Sequence, residues 1–118
     1  MSDALPNYYR EERPWGAFIR FTHNEQSTVK ILEVSEGEAF SEQYHEHRSE
    51  FWRVISGNGT ILVGDKETEA KEGDEFFIPQ GAIHRMTGGS GGIKVLEVAL
   101  GEFDENDIVR TKDKYGRV

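Results

Sequence analysis

Two short segments carry residues that could bind a metal ion. In the first, Gln43 and His45 stand two apart and Glu50 follows, while His84 comes later, after a Pro-x-Gly turn. Residues two apart on a strand project from the same face, so we expect Gln43 and His45 to point together, beside Glu50 on the next strand. Two imidazoles, one carboxylate and one amide oxygen suit zinc, manganese, cobalt, nickel or ferrous iron better than magnesium or calcium. The sequence therefore predicts one divalent metal ion on Gln43, His45, Glu50 and His84.

A metal centre of this composition would act as a Lewis acid. Three neutral ligands and one carboxylate leave a divalent ion with net positive charge, which polarises a carbonyl or hydroxyl oxygen. The residue types are thus compatible with Lewis-acid chemistry on an oxygen-bearing substrate.

The elements that must hold these residues are predicted to be short strands. Apolar or alternating runs rich in Val, Ile and Phe favour strands; they lie at 17–21, 28–34, 51–55, 60–63, 75–78 and 93–100. Turns are predicted at 56–59, 64–65 and 72–74, and a flexible hairpin loop at 88–92. This spacing indicates an all-β sandwich or barrel.

The two ends of the chain differ from its middle. Residues 1–12 are polar with two tyrosines and are predicted to form an arm, followed by a single domain over 13–118. A short helix is predicted over 104–110, with Asp104 as its N-cap. A length of 118 residues allows one domain.

Composition excludes several classes of function. The chain has 22 acidic and 14 basic residues, a net charge of -8, which disfavours binding to nucleic acid or to anionic membranes. It has no cysteine, which excludes disulfides, thiolate catalysis and zinc–thiolate sites. The N-terminus shows no signal-peptide pattern and no run is long enough to span a membrane, so we expect a cytoplasmic protein.

The two segments resemble the two cupin motifs, G-x5-H-x-H-x4-E-x6-G and G-x5-P-x-G-x2-H-x3-N. The first motif agrees at each step, with Gln in the place of its first histidine; the second agrees up to its last position, where Gly88 replaces Asn. The matching positions are Gly37, Gln43, His45, Glu50 and Gly57, then Gly73, Pro79, Gly81 and His84. A set of Gln, His, Glu and His resembles the metal ligands of the phosphomannose isomerase group of cupins.

The flanking segments are similar to the type II phosphomannose isomerase domain over roughly residues 13–117. They are Arg13-Pro-Trp-Gly16, Lys30–Val34, Glu97-Val98, Asp107–Arg110 and Asp113–Arg117. The resemblance implies a single cupin barrel (a double-stranded β-helix, or jelly roll) with a short N-terminal arm and a C-terminal segment. It also implies metal-dependent interconversion of mannose 6-phosphate and fructose 6-phosphate, although Gly88 and Ala99 depart from the family pattern.

The substrate and catalytic roles are divided among several charged residues. Fixed cations are required for a phosphate, and the candidates for substrate binding are Lys30, Arg85, Arg110 and Arg117. The candidate catalytic residues are His47, Glu97, Lys30 and Arg110. Lys94 is a further candidate for the base, and the sequence alone does not choose between His47, Glu97 and Lys94.

Other interpretations remain open at this point. The chain could be a non-catalytic sugar-binding cupin or a cupin enzyme of another class, such as an iron-dependent oxygenase. Arg13-Pro-Trp-Gly16 is interpreted either as packing of the arm on the barrel, through Trp15, or as part of the site. We also expect a homodimer, in which the arm could exchange between two barrels.

Overall fold

A computed structural model describes residues 5–117, and these residues form nine strands and no helix. No helix within this range, therefore, is long and apolar enough to cross a membrane. The strands are β1 (Tyr9–Arg13), β2 (Gly16–Arg20), β3 (Ser27–Val34), β4 (Glu42–Tyr44), β5 (Ser49–Val63), β6 (Lys66–Lys71), β7 (Glu75–Ile78), β8 (His84–Leu100) and β9 (Val109–Lys112). The prediction of an all-β domain is confirmed.

The two longest strands, β5 and β8, organise the barrel. They pair antiparallel along their whole length, from Ser49 opposite Leu100 to Val63 opposite His84. Strands β3 and β7 flank one half of this ribbon, while β4 and β6 flank the other half and β9 adds to β4. The ribbon therefore contributes to two sheets, and side chains from both halves can meet between them.

Glycines allow the ribbon to continue through the segments 56–59 and 88–92. The predicted turn at 56–59 and the predicted flexible loop at 88–92 are wrong, because both segments lie within β5 and β8. A Cβ atom on Gly57 would lie 2.2 Å from the carbonyl oxygen of Gly92, and one on Gly88 would lie 2.2 Å from that of Ser35. These glycines mark a close approach of neighbouring backbones rather than a loop.

The helix predicted over 104–110 is also wrong. The segment makes one turn, in which Asn106 N–H donates to Asp104 Oδ1 at 2.9 Å, and it then enters β9. Its carbonyls have other partners: Arg48 Nη1 donates to Asp104 O, and His45 Nδ1 lies 2.6 Å from Asp107 O. Asp104 therefore caps a single turn, in which Asp107 N–H also donates to Asp104 O at 3.0 Å, and the chain then continues into β9 rather than into a helix.

Apolar side chains form two clusters, one between the sheets and one on the outer face of the half of the ribbon that β3 and β7 flank. The larger cluster lies between the sheets and contains Trp52, Val54, Ile61, Ala70, Ile78, Met86, Ile93 and Val95. Because neighbouring residues on a strand point to opposite faces, Phe51 belongs to the outer cluster, with Leu5 and Val98. Tyr8 and Phe21 cover that outer cluster.

The N-terminal segment is more structured than the predicted arm. Leu5 is buried and residues 9–13 form strand β1, so the predicted arm of residues 1–12 contains both a core residue and a strand. Residues 1–4 of that arm lie outside the described residues. Strand β1 pairs with β2 in a separate two-stranded sheet.

Candidate metal centre

Strands β4, β5 and β8 bring the four predicted metal ligands to one end of the space between the sheets. Gln43 on β4 is directly opposite His84 on β8, so the two side chains share a face. Glu50 lies on β5 two residues before Trp52 of the inner cluster, and His45 follows β4. All four residues line one pocket of about 210 Å³.

Three of these residues form a compact buried group. His45, Glu50 and His84 are each almost completely buried, and each offers one donor atom within 4.8 Å of the others. The Nε2 atom of His45 is 3.5 Å from Glu50 Oε2, and the Nε2 atom of His84 is 3.7 Å from Glu50 Oε1. The Glu50 carboxylate therefore lies between the two imidazoles.

Backbone carbonyls orient both imidazoles. His45 Nδ1 is 2.6 Å from Asp107 O, and His84 Nδ1 is 3.0 Å from Ala82 O. Because a carbonyl oxygen only accepts hydrogen bonds, each Nδ1 carries the proton and each Nε2 presents its lone pair. Both lone pairs are directed to the region around Glu50, as metal ligands require.

Burial keeps the two rings neutral. It lowers the pKa of His84 to about 4, against the opposing effect of the Ala82 carbonyl, and it also lowers the pKa of His45. Metal ions bind the neutral imidazole. Both histidines are thus in the ligating form around neutral pH.

The donor set fits a divalent cation. Glu50 Oε1 and His84 Nε2 are buried and have no hydrogen-bond partner among the described residues. Leaving such atoms unsatisfied is costly, and one cation between them would satisfy both. Gln43 would contribute its amide Oε1, which already accepts a hydrogen bond from the Ser41 hydroxyl and retains a second lone pair.

Arg48 also belongs to this centre, although it was not among the residues predicted from the sequence. Its Nε donates to Glu50 Oε2 at 2.9 Å, and its guanidinium lies 4.2 Å from the centre of the Phe103 ring. Its Nη2 is 3.3 Å from His45 Nε2, and its side chain is buried. Because Arg48 and Glu50 are two apart, the same alternation that paired Gln43 with His45 could have identified it.

Glu97 provides a second buried carboxylate in the same pocket. Trp52 Nε1 donates to its Oε1 at 3.0 Å, which fixes one side of the carboxylate. Burial, together with the nearby charge of Glu50, raises the pKa of Glu97 to about 7. Lys30, directly opposite Glu97 across β3 and β8, also lines the pocket.

The segment between β8 and β9 closes one side of the pocket. Lys30 Nζ is 3.2 Å from Glu105 Oε2 and 4.3 Å from the centre of the Phe103 ring. Glu105 and Ile108 line the pocket with Lys30. Lys30 is thus a cation at the pocket wall, held by an aromatic ring and a carboxylate.

Arg110 lies beside the pocket but not among its lining residues. It is opposite Gln43 across β4 and β9, which places both side chains on one face of this pair. Its Nε is buried and has no hydrogen-bond partner among residues 5–117. Arg110 therefore presents a buried donor near Gln43.

The other candidate residues lie away from the pocket. His47 is in an exposed turn, where its N–H donates to an Asp107 carboxylate oxygen at 3.0 Å. Lys94 pairs with Glu33 on the exterior. Arg85 donates from Nε to Phe40 O at 3.2 Å, and Arg117 forms an ion pair with Asp113 at 2.7 Å.

Comparison with known proteins decides the family. A protein-family model described as "Mannose-6-phosphate isomerase C-terminal" matches residues 3–113 of this chain. The chain belongs to this family. A curated relative, "Mannose-1-phosphate guanylyltransferase" of Klebsiella pneumoniae, is 38% identical over 107 residues, which are 89% of this chain and 23% of the relative. The chain therefore spans less than a quarter of the length of the curated relatives it matches.

Solved structures place this member of the isomerase C-terminal family in the cupin fold. A Klebsiella pneumoniae protein with a double-stranded β-helix domain gives a TM-score of 0.65 at 22% identity, over 77% of this chain and 78% of that one. A cupin protein from Bacteroides fragilis gives a TM-score of 0.58 at 20% identity, over 69% of this chain and 74% of that one. The predicted single cupin barrel is confirmed.

Proposed function

We propose that this chain is a metal-dependent sugar-phosphate isomerase that interconverts mannose 6-phosphate and fructose 6-phosphate. One observation carries the proposal: a buried His45–Glu50–His84 group shares a small pocket with a second buried carboxylate, Glu97. Metal ligands and a proton carrier are the two parts that this isomerisation requires. The family to which the chain belongs supports the choice of substrate.

The metal site would consist of Gln43, His45, Glu50 and His84. When bound there, a divalent ion would polarise the oxygens on C1 and C2 of the open-chain sugar. Arg48 holds the Glu50 carboxylate through Nε and balances its charge. The carbonyls of Asp107 and Ala82 orient both imidazoles so that each Nε2 could ligate the ion.

Glu97 is the base that the geometry favours. It lines the pocket, whereas His47 and Lys94 do not, and the Trp52 indole holds its carboxylate in one orientation. Glu97 would take the proton from C2 of the aldose and return it to C1, while the hydroxyl proton on O2 moves to O1. The net result exchanges an aldehyde for a ketone, so no oxidant or reductant takes part.

Lys30 and Arg110 are the favoured cations for the anionic substrate. Lys30 Nζ stands at the pocket wall, and the buried Nε of Arg110, beside Gln43, has no hydrogen-bond partner within residues 5–117. Guanidinium and ammonium groups form charge-assisted hydrogen bonds to phosphate. Arg85 and Arg117 have other partners outside the pocket, so the geometry supports them less.

The test compares isomerase turnover and metal content in matched variants. His84→Ala should lose bound metal and turnover together, whereas His23→Ala, at an exposed histidine, should keep both. Glu97→Gln should retain the metal and lower kcat by roughly 10²–10⁴-fold, the range for loss of a general base. Turnover that persists in a metal-free His84→Ala protein would contradict the proposed chemistry.

A binding role is the second candidate. The curated relatives named mannose-1-phosphate guanylyltransferase are more than four times as long as the matched segment, so the cupin domain could bind a sugar phosphate in support of another domain. Stoichiometric metal and mannose 6-phosphate binding without turnover, measured by calorimetry and a coupled assay, would favour this role over isomerisation.

A further inference from the structure

His45 differs from the other three candidate ligands in how its backbone is held. Gln43 and His84 lie opposite each other on paired strands, and Glu50 lies on β5 between its two neighbours, β7 and β8. His45 instead follows Tyr44, the last residue of β4. Strand pairing therefore does not fix His45, although its imidazole is almost completely buried and belongs to the proposed metal site.

Asp107 holds the turn that begins at His45. Its Oδ1 accepts a hydrogen bond from Glu46 N–H at 2.8 Å, and its Oδ2 accepts one from His47 N–H at 3.0 Å. The backbone carbonyl of the same residue lies 2.6 Å from His45 Nδ1. One residue from a distant part of the chain thus contacts three successive residues of this turn.

The Asp107 carboxylate matches the two backbone N–H groups that it faces. Neighbouring N–H groups need two acceptors, and an ionised carboxylate supplies both, in charge-assisted hydrogen bonds. An asparagine side chain has the same shape but only one acceptor oxygen, so its NH₂ group would face the second N–H. The contact therefore requires an acid at this position rather than an amide.

A neighbouring turn supports the same segment from another direction. Gly81 N–H donates to His45 O at 2.8 Å, and Gln80 Nε2 donates to Glu46 O. Both donors belong to the Pro-x-Gly turn before His84 and hold the backbone of the segment. Asp107 acts on the backbone and on the imidazole ring together, so its position bears directly on where His45 Nε2 points.

We propose that Asp107 is a positioning residue that orients His45 toward the metal site by holding the turn of residues 45–47 with its carboxylate. The inference rests on the proposed metal-dependent function. It gives a role to the first residue of the segment Asp107–Arg110, which the sequence analysis singled out. Because partners that orient a ligand affect binding, their replacement commonly weakens metal affinity by about 10–100-fold.

Titration of the purified chain with zinc and with cobalt(II), each in competition with a chelating dye, tests this role. Asp107→Asn keeps the shape of the side chain but removes one acceptor, so it should weaken metal binding by roughly 10–100-fold. Asp74→Asn is the matched control. The Asp74 carboxylate also accepts a backbone N–H, from Lys71 at 3.0 Å, but it lies between β6 and β7 and does not line the pocket, so metal affinity should stay unchanged.

The visible absorption spectrum of the cobalt(II)-loaded protein separates a change in ligand orientation from a general loss of stability. The bands depend on the ligands and their geometry. Asp107→Asn should therefore shift the bands in fully loaded protein, whereas Asp74→Asn should leave them as in the wild type.

Asp107→Glu is a second variant, which also covers the case in which Asp107→Asn fails to fold, as judged by circular dichroism. It keeps the charge but moves the carboxylate by one methylene, so it should also weaken metal binding. Wild-type affinity and spectrum in a folded Asp107→Asn protein would overturn the proposal. Wild-type affinity in Asp107→Glu would do the same, since charge alone would then suffice, and so would a wild-type chain that binds neither metal.

The metal titration is independent of turnover. Weaker metal binding and a shifted spectrum in Asp107→Asn support the positioning role whether or not the chain isomerises mannose 6-phosphate. A failed isomerase assay beside these results would count against the proposed function alone.

Discussion

Arg48 holds the buried Glu50 carboxylate in place and also contacts the segment between β8 and β9. Its guanidinium donates to Glu50 and to the Asp104 carbonyl and packs on Phe103, so it fixes both the ligand carboxylate and the segment that closes the pocket. Residues that hydrogen-bond to metal ligands commonly change the affinity of a site for its metal. Arg48 is thus a positioning residue in the proposed centre.

Replacing Arg48 with Met should affect both stability and metal binding. The change leaves the buried Glu50 carboxylate uncompensated, which costs about 3–5 kcal/mol in the metal-free protein, and weakens metal affinity by roughly 10–100-fold. Denaturant unfolding and metal titration measure the two effects. Arg53→Met is the control: it removes a partly exposed ion pair with Glu75, so it should destabilise less and leave metal affinity unchanged.

Glycines in β5 and β8 are the decisive feature at the scale of elements. Gly57 and Gly88 let neighbouring backbones approach where any Cβ atom would collide with a carbonyl oxygen. This contact keeps the long ribbon continuous between the sheets that hold Glu50 and His84. Glycine-rich segments are visible in the sequence, but the same composition occurs in flexible loops and where two backbones lie unusually close. The loop at 88–92 was therefore predicted wrongly.

Gly88→Ala should therefore destabilise the fold. The new methyl group would lie 2.2 Å from Ser35 O and 2.7 Å from Val34 O, both backbone atoms, and overpacking of this kind costs about 1–3 kcal/mol. Chemical denaturation measures the loss. Ser90→Ala, at an exposed position two residues further along β8, should change stability by less than about 0.5 kcal/mol. Equal stabilities for the two variants would contradict the close-approach interpretation.

The sequence predicted the grouping of the four ligand candidates better than it predicted the elements. Motif spacing grouped Gln43, His45, Glu50 and His84, which line one pocket in the structure, because alternation along a strand and a fixed turn constrain where such side chains point. Strand β6 was missed because Lys66–Lys71 has one buried residue, Ala70, and is held by backbone pairing with β5. The helix over 104–110 was predicted from local capping, which the contacts of Arg48 and His45 override.

At the scale of the whole molecule, the barrel combines a polar pocket with an acidic exterior. A net charge of -8 would repel a sugar phosphate at long range, so the proposed binding would depend on local cations such as Lys30 and the buried donor of Arg110. The sequence could not distinguish Arg85, Arg117 and Lys94 from the cations that lie near the pocket. The exposure of a charged side chain and its ion-pair partners depend on the folded chain. The proposed function is therefore argued from the residues that line the pocket rather than from the charge of the whole molecule.

Turnover of mannose 6-phosphate by the purified wild-type chain, before and after chelation, tests the metal-dependent isomerase most directly. We expect fructose 6-phosphate formation that stops on removal of metal and returns when one of zinc, manganese, cobalt, nickel or ferrous iron is restored. Turnover that continues undiminished in fully metal-free protein, or no turnover with any of these ions stoichiometrically bound, would contradict it.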